Sequence, residues 1–195
     1  MEKKGKVFII SGPSGVGKTT ITQNILAEIS GIKRSISCTT RKPRQGEHDN
    51  IDYRFITKKR FKELVKQKAF LEWACVLNNY YGTLKKDVEN FLQEGADVLL
   101  CIDVQGAQQI SAKIPEAISI FVLPPDLTEL KKRLANRGED LKETNKRMML
   151  AKQELQKAHK YDYTVTNDCL QKATKTVKHI IRTGKSSKKQ TKRRT

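Results

Sequence analysis

The eight residues GPSGVGKT, Gly12 to Thr19, constrain this chain more than any other stretch. They follow KVFII at residues 6–10, an apolar run of strand length, and lead into TTITQNILAEI, where Ile21, Ile25, Leu26 and Ile29 recur at helical spacing. Strand, glycine-rich turn and helix is the setting in which G-x-x-x-x-G-K-[ST] means a phosphate loop. Gly12, Gly15 and Gly17 let the backbone curl so that consecutive amides converge on phosphate oxygens. The helix starting near Lys18 adds its N-terminal dipole. Lys18 is placed to reach the β- and γ-phosphates of a nucleoside triphosphate, and Thr19 to offer its hydroxyl to Mg²⁺. Pro13, Ser14, Val16 and Thr20 complete the stretch expected to bind that nucleotide.

Three more apolar runs read as strands: DVLLCIDV at 97–104, AISIFVLPP at 117–125 with two prolines as its stop, and YDYTVTND at 161–168. Helices are expected between them, over about 105–112, from Asp126 to a C-cap at Gly138, on to about Lys160, and from Leu170 to about Arg182. Strands alternating with helices predict an α/β fold with a central parallel sheet covered on both faces. Residues 34–94 break that rhythm. They hold polar turns, a partial strand at DYRFI, a lysine-rich helix, a strand near Phe70 to Val76, a turn at Asn78-Asn79 and a helix closed by Gly95. The expected division is core at 1–33, 95–125 and 161–182, an inserted small domain at 34–94, a helical excursion at 126–160 and a basic tail at 183–195.

Formal net charge is +18, with 39 basic against 21 acidic residues. TGKSSKKQTKRRT, the last 13 residues, carries six of the basic ones and no acid, so the rest still stands at 33 to 21. Such a tail is expected to be disordered, either a solvated end or a weak, nonspecific contact for nucleic acid or anionic lipid. No run approaches the roughly 20 apolar residues of a membrane span, and the start, MEKKGKVFII, lacks a secretory apolar core. Cys38, Cys75, Cys101 and Cys169 have neither C-x-x-C nor metal-site spacing. They are expected to be free, buried thiols in a reduced, cytoplasmic compartment. Asp103 closes an apolar strand, where a carboxylate faces the ligand crevice and can hold Mg²⁺ through water or accept from a second substrate. The blander reading is an N-cap for the helix that follows.

Beyond the phosphate loop, the segments SISCTTRKPRQGEHDNIDYRF, FLEWACVLNNYYGT, LLCIDVQGAQQI, LKKRLANRG and VTND follow in an order and spacing that resemble the guanylate kinases, from Val7 to about Arg182. The resemblance implies the P-loop kinase fold with an inserted GMP-binding domain and a helical lid. It implies phosphoryl transfer from ATP to GMP with Mg²⁺, and dGMP as an accepted substrate. Residue by residue, it puts Ser37, Arg41, Arg44, Tyr53 and Tyr81 at the GMP phosphate. Glu72, Thr83 and Asp103 fall near guanine. Lid arginines fall at Arg137 and Arg147, with Arg133 also a candidate, and Asn167 falls beside adenine. Lys18, Arg41, Arg137 and Arg147 would carry the chemistry, with Thr19 and Asp103 serving Mg²⁺. No dedicated protein partner is implied, and the chain would be a monomer or homodimer.

The chemistry of these residue types agrees. Planar guanidinium groups hold a phosphate dianion through two oxygens each, and serine and tyrosine hydroxyls complete its shell. Guanine offers N1–H and N2–H to one ionised carboxylate, whereas adenine would leave Glu72 unsatisfied at a cost of roughly 1–3 kcal/mol. Glu47, Asp49 and Asp52 read as braces for the loop and its arginines, and Tyr80 as packing. For Arg137 and Arg147 the plainer alternative is two solvated helix arginines. Departures from the family pattern are Cys101 in place of an acid two residues before Asp103, Thr83 for serine, Asn136 for arginine and Cys169 for an acid.

Overall fold

The computed structural model describes residues 5–136 and 141–184. Arg137, the C-cap expected at Gly138 and the tail beyond Gly184 lie outside the described residues. In chain order the elements are β1 (Val7–Ser11), α1 (Lys18–Glu28), β2 (Ile32–Arg34), β3 (Cys38–Thr39), β4 (Arg54–Phe55), α2 (Lys58–Lys66), β5 (Phe70–Val76) and β6 (Asn79–Leu84). There follow α3 (Lys85–Gln93), β7 (Asp97–Cys101), α4 (Val104–Lys113), β8 (Ile118–Leu123), α5 (Leu127–Ala135), α6 (Leu141–Leu155), a 3₁₀ turn at Ala158–Lys160, β9 (Tyr163–Thr166) and α7 (Leu170–Thr183). Parallel strands run in the order β2-β7-β1-β8-β9, the α/β sheet expected from the apolar runs.

The contacts group the chain into two units that divide inside β1. The unit of residues 8–30 and 118–195 holds most of β1 beside β8 and β9, paired in parallel with Phe8 opposite Ile118 and Ile120 opposite Tyr163. Every residue of β1 is buried, which is why KVFII shows no alternation of apolar and polar residues. Helix α1 packs on α7, whose Ala173, Val177, Ile180 and Ile181 are buried.

The unit of residues 1–7 and 31–117 pairs β2 with β7 in parallel and takes the Val98 amide onto the Lys6 carbonyl at 2.7 Å. It also holds a four-stranded sheet, β4-β3-β6-β5, with its own core of Cys38, Phe61 and Phe70. Tyr80 stacks on Phe61 with ring centroids 5.2 Å apart, the packing role expected of it.

Several expectations change. The sequence gives no strand at 79–84, yet NYYGTL is β6, antiparallel to β5 with Val76 opposite Asn79. Its glycine and lack of alternation hide it; only pairing to β5 reveals it. The turn is Leu77-Asn78, both left-handed at φ 48° and 64°, one residue earlier than expected. Strands β2, β3 and β4 are three residues or fewer and carry no apolar run. Strand β7 stops at Cys101, and Asp103 caps α4, accepting from the Gln105 and Gly106 amides at 2.7 and 3.1 Å. Asp126 is likewise a cap, so α5 begins at Leu127, and it ends at Ala135. The cysteines are free, but Cys38 is the buried one and Cys75 is exposed. In β5 the buried face is Phe70, Glu72 and Ala74, so strand alternation turns Cys75 outward with Trp73.

Candidate active site

The phosphate loop leaves a fully buried strand and enters an exposed helix turn. Gly12 has φ 136°, and a Cβ there would stand 2.4 Å from the Val122 carbonyl oxygen of β8, so glycine alone fits. Pro13 and Val16 are buried, Ser14 is half-buried, and Thr19 and Thr20 are exposed on the first turn of α1. The cap of α1 is Gly17, with no side-chain cap, which suits an amide terminus made for an anion. Lys18 arches back over the loop, donating to the carbonyls of Gly12 at 2.5 Å and Pro13 at 2.9 Å. Leu130 and Leu134 of α5 close over Gly15, each with a carbon 3.1 Å from where its Cβ would be.

Three expected nucleotide-side residues belong to this same unit. Arg133 donates Nε to Glu129 at 2.8 Å and Nη2 to the Asn167 carbonyl at 3.2 Å. Asn167 is buried and its amide donates to the Val16 carbonyl at 2.7 Å, inside the loop. Arg147 is paired with Glu143 at 3.2 Å on α6.

The other unit gathers the remaining candidates. Arg41 meets Glu47 with two bonds, Nη1 at 2.7 Å and Nη2 at 2.9 Å, and its guanidinium lies 5.3 Å from the Tyr53 ring centre and 5.7 Å from that of Phe55. Glu47 also accepts the Arg44 amide at 2.8 Å. Burial opposes both charges of the pair, yet the hydrogen bonds win: Arg41 is held above its ordinary pKa and Glu47 below its own. Asp49 accepts the Phe55 amide at 2.9 Å and Asp52 the His48 amide at 2.9 Å, so all three acids brace the loop. Tyr53 and Tyr81 meet edge to face with centroids 6.0 Å apart. Burial, then the nearby Cys101 and Tyr81, push the Tyr53 phenol up to about 12, so it stays a neutral donor. Ser37 is buried at the start of the loop.

Glu72 is 2% exposed and sits opposite Thr83 across β5 and β6. The Thr83 hydroxyl donates to Glu72 Oε1 at 2.6 Å, while buried Oε2 has no hydrogen-bond partner. Burial, with Asp103 adding repulsion against the Thr83 bond, pushes the carboxyl up to about 7. Gly106 of α4 makes room for it, since a Cβ there would be 2.4 Å from Oε2. Sequence reading passed over Gly106, although a glycine inside the helical pattern VQGAQQI is itself a packing signal. Among the described residues no group of three or more His, Cys, Asp or Glu could hold a metal ion.

A buried carboxylate with one oxygen unsatisfied, beside a hydroxyl, has the capacity to accept N–H donors from a ligand. A family model described as guanylate kinase matches residues 4–184. The chain belongs to the guanylate kinase family. It is 46% identical over 184 residues to a guanylate kinase of Shewanella violacea, covering 93% of this chain and 89% of that one. With guanylate kinases of Neisseria gonorrhoeae and Clostridioides difficile the identity is 44%, over 92% and 94% of this chain and 88% and 90% of theirs. The crystal structure of guanylate kinase from Anaplasma phagocytophilum superposes with a TM-score of 0.81 at 29% identity, covering 96% of this chain and 89% of that one. Family membership carries phosphotransferase activity with it. Among the described residues no helix is long and apolar enough to cross a membrane.

Proposed function

We propose that this chain transfers the γ-phosphoryl group of ATP to GMP, with Mg²⁺, giving ADP and GDP, and that it also accepts dGMP. The observation that carries the reading is Glu72, buried with Oε2 unpartnered and Oε1 on Thr83. Guanine N1–H and N2–H satisfy that carboxylate, and Thr83 turns its hydroxyl to O6; adenine has no proton at N1 to offer. Ser37, Arg41, Arg44, Tyr53 and Tyr81 take the GMP phosphate, with Arg41 exchanging contacts to Glu47 for contacts to the dianion. Residues 34–94 act as the GMP-binding domain and 126–160 as the lid, the rest forming the core.

A GMP phosphate oxygen attacks the γ-phosphorus, its new O–P bond forming as the bond to the β-bridging oxygen breaks and ADP leaves. No general base is needed, because the attacking oxygen is already anionic. Lys18 and the loop N–H groups from Ser14 to Thr20 hold the charge that spreads over the transferring group. Arg133, Arg137 and Arg147 add positive charge from the lid, and closing it excludes water. The Thr19 hydroxyl, with Asp103 through water, would hold the Mg²⁺ carried by ATP. Hydroxyl, carboxylate and phosphate oxygens are the hard donors this ion takes. The ion would supply positive charge against the phosphates being transferred. Cys101 removes a carboxylate that could order its waters, so turnover should need more free Mg²⁺ than in a relative with the acid.

Steady-state kinetics with GMP, dGMP and AMP across a range of Mg²⁺ test this. GMP and dGMP should turn over, with AMP at least about 100-fold poorer in kcat/KM, the worth of two unmet buried acceptor sites. Equal rates for GMP and AMP would sink the assignment of Glu72.

A further inference from the structure

We propose that Gln109 of α4 is a positioning residue for guanine recognition: its side-chain amide pairs with the backbone of β5 beside Glu72 and, together with Lys113, fixes where that carboxylate stands. This rests on the reading that Glu72 takes the guanine edge.

Strand β5 is the outer strand of the four-stranded sheet and has β6 on one side only. Its pairing is irregular at the residue that matters most. Phe70 stands opposite Leu84 and Glu72 opposite Thr83, so Leu71 is an extra residue with no counterpart on β6. A bulge of this kind interrupts the ladder and re-aims the neighbouring side chain. An outer strand also leaves one row of N–H and C=O groups open. Without further support, the peptides on both sides of Glu72 would be held from one side only, and loosely.

Helix α4 supplies the missing bonds. The Trp73 N–H donates to Gln109 Oε1 at 3.3 Å, and Gln109 Nε2 donates to the Trp73 carbonyl at 2.7 Å. A carboxamide carries its acceptor and its donors side by side, so it answers both backbone groups of one residue as a neighbouring strand would. One turn further, the Lys113 ammonium donates to the Leu71 carbonyl, at the bulge itself. The residues before and after Glu72 are thus both tied to α4. Gly106, Gln109 and Lys113 are three and four positions apart, which puts them on one face of the helix. Gly106 gives Glu72 Oε2 its room, and the other two hold the peptides that aim it.

Dissociation constants for GMP, IMP and ATP are measured on the full chain as wild type, Gln109→Leu and Lys113→Met, above about pH 8, where Glu72 is ionised. IMP keeps N1–H but lacks the 2-amino group, so it makes one bond fewer to the carboxylate. Leucine keeps the bulk at 109 without either bond, and methionine keeps most of the stem at 113 without the ammonium. Each variant should weaken GMP about tenfold and IMP no more than about threefold, with ATP within about twofold and kcat at saturating GMP nearly kept. Hydrogen exchange at the Trp73 amide of the ligand-free chain reads the tie itself and should be about tenfold faster in Gln109→Leu. Equal losses for GMP and IMP, losses that extend to ATP, or unchanged binding in both variants would overturn the proposal, as would an unchanged exchange rate. Should Gln109→Leu fail to fold, the GMP-to-IMP ratio in Lys113→Met decides. A wild type that bound GMP and IMP alike, with Glu72→Gln no weaker, would instead bring down the reading of Glu72, whatever the exchange rate at Trp73.

Discussion

In the proposed reading selectivity turns on Glu72, and its burial makes it sensitive to pH. Its folded pKa is raised to about 7 from an ordinary 4.5, so between those values the folded chain holds a proton that the unfolded chain has lost. Stability from this group is complete below about pH 4.5 and declines as pH rises to about 7. Glu72→Gln cannot ionise, and relative to the wild type it should gain roughly 2–3 kcal/mol between pH 5 and 8 in urea melts. Binding runs the other way, since guanine needs the ionised carboxylate. Guanosine, which lacks the phosphate that itself titrates near 6, should bind more tightly as pH rises through about 7, and the trend should vanish in Glu72→Gln. Two other residues separate binding from chemistry. Lys18→Ala should lower kcat by about 10²–10³-fold with the GMP dissociation constant nearly kept. Arg41→Ala should instead raise that dissociation constant by at least about tenfold. Near-native turnover in Lys18→Ala would remove the loop from the mechanism.

At the scale of elements, the first turn of α4 is shaped around its neighbour on β5. Asp103 caps the helix through Oδ1, and Gly106 in the same turn leaves space for Glu72 Oε2. Gly106→Ala should therefore raise KM for GMP by about tenfold with KM for ATP unchanged, although alanine is the better helix former by about 1 kcal/mol. An unchanged KM for GMP would show that Glu72 has slack the structure does not reveal. The loop Arg41–Phe55 is a second case. Its acids were legible as braces, but that Glu47 grips Arg41 with both oxygens and also takes the Arg44 amide depends on the fold of the loop. Strand β6 shows the limit of local reading. It exists because Thr83 and Gly82 pair with Glu72 and Trp73, not because NYYGTL prefers to be a strand.

Over the whole molecule the positive charge remains the feature least tied to the substrate sites. A chain ending at Gly184 loses six basic residues and should retain GMP turnover within about twofold. Its retention on RNA should fall, with a shallower dependence on salt, because fewer phosphates are neutralised. Equal retention of the full and shortened chains would exclude the tail as the anchor. The sequence alone determined the α/β class, the phosphate loop and the candidate residues, because each of these is written in contiguous residues: an apolar run, a glycine spacing, a lysine before a threonine. Only the tertiary structure decided the rest. Two-residue strands, the exposure of Cys75 and the cap at Asp103 follow from which neighbours pair and pack. The Thr83 bond to Glu72 and the turn of Asn167 toward the loop are likewise contacts between residues 11 and 151 positions apart. Local chemistry names the groups, but burial and hydrogen bonding across the chain set what each can do.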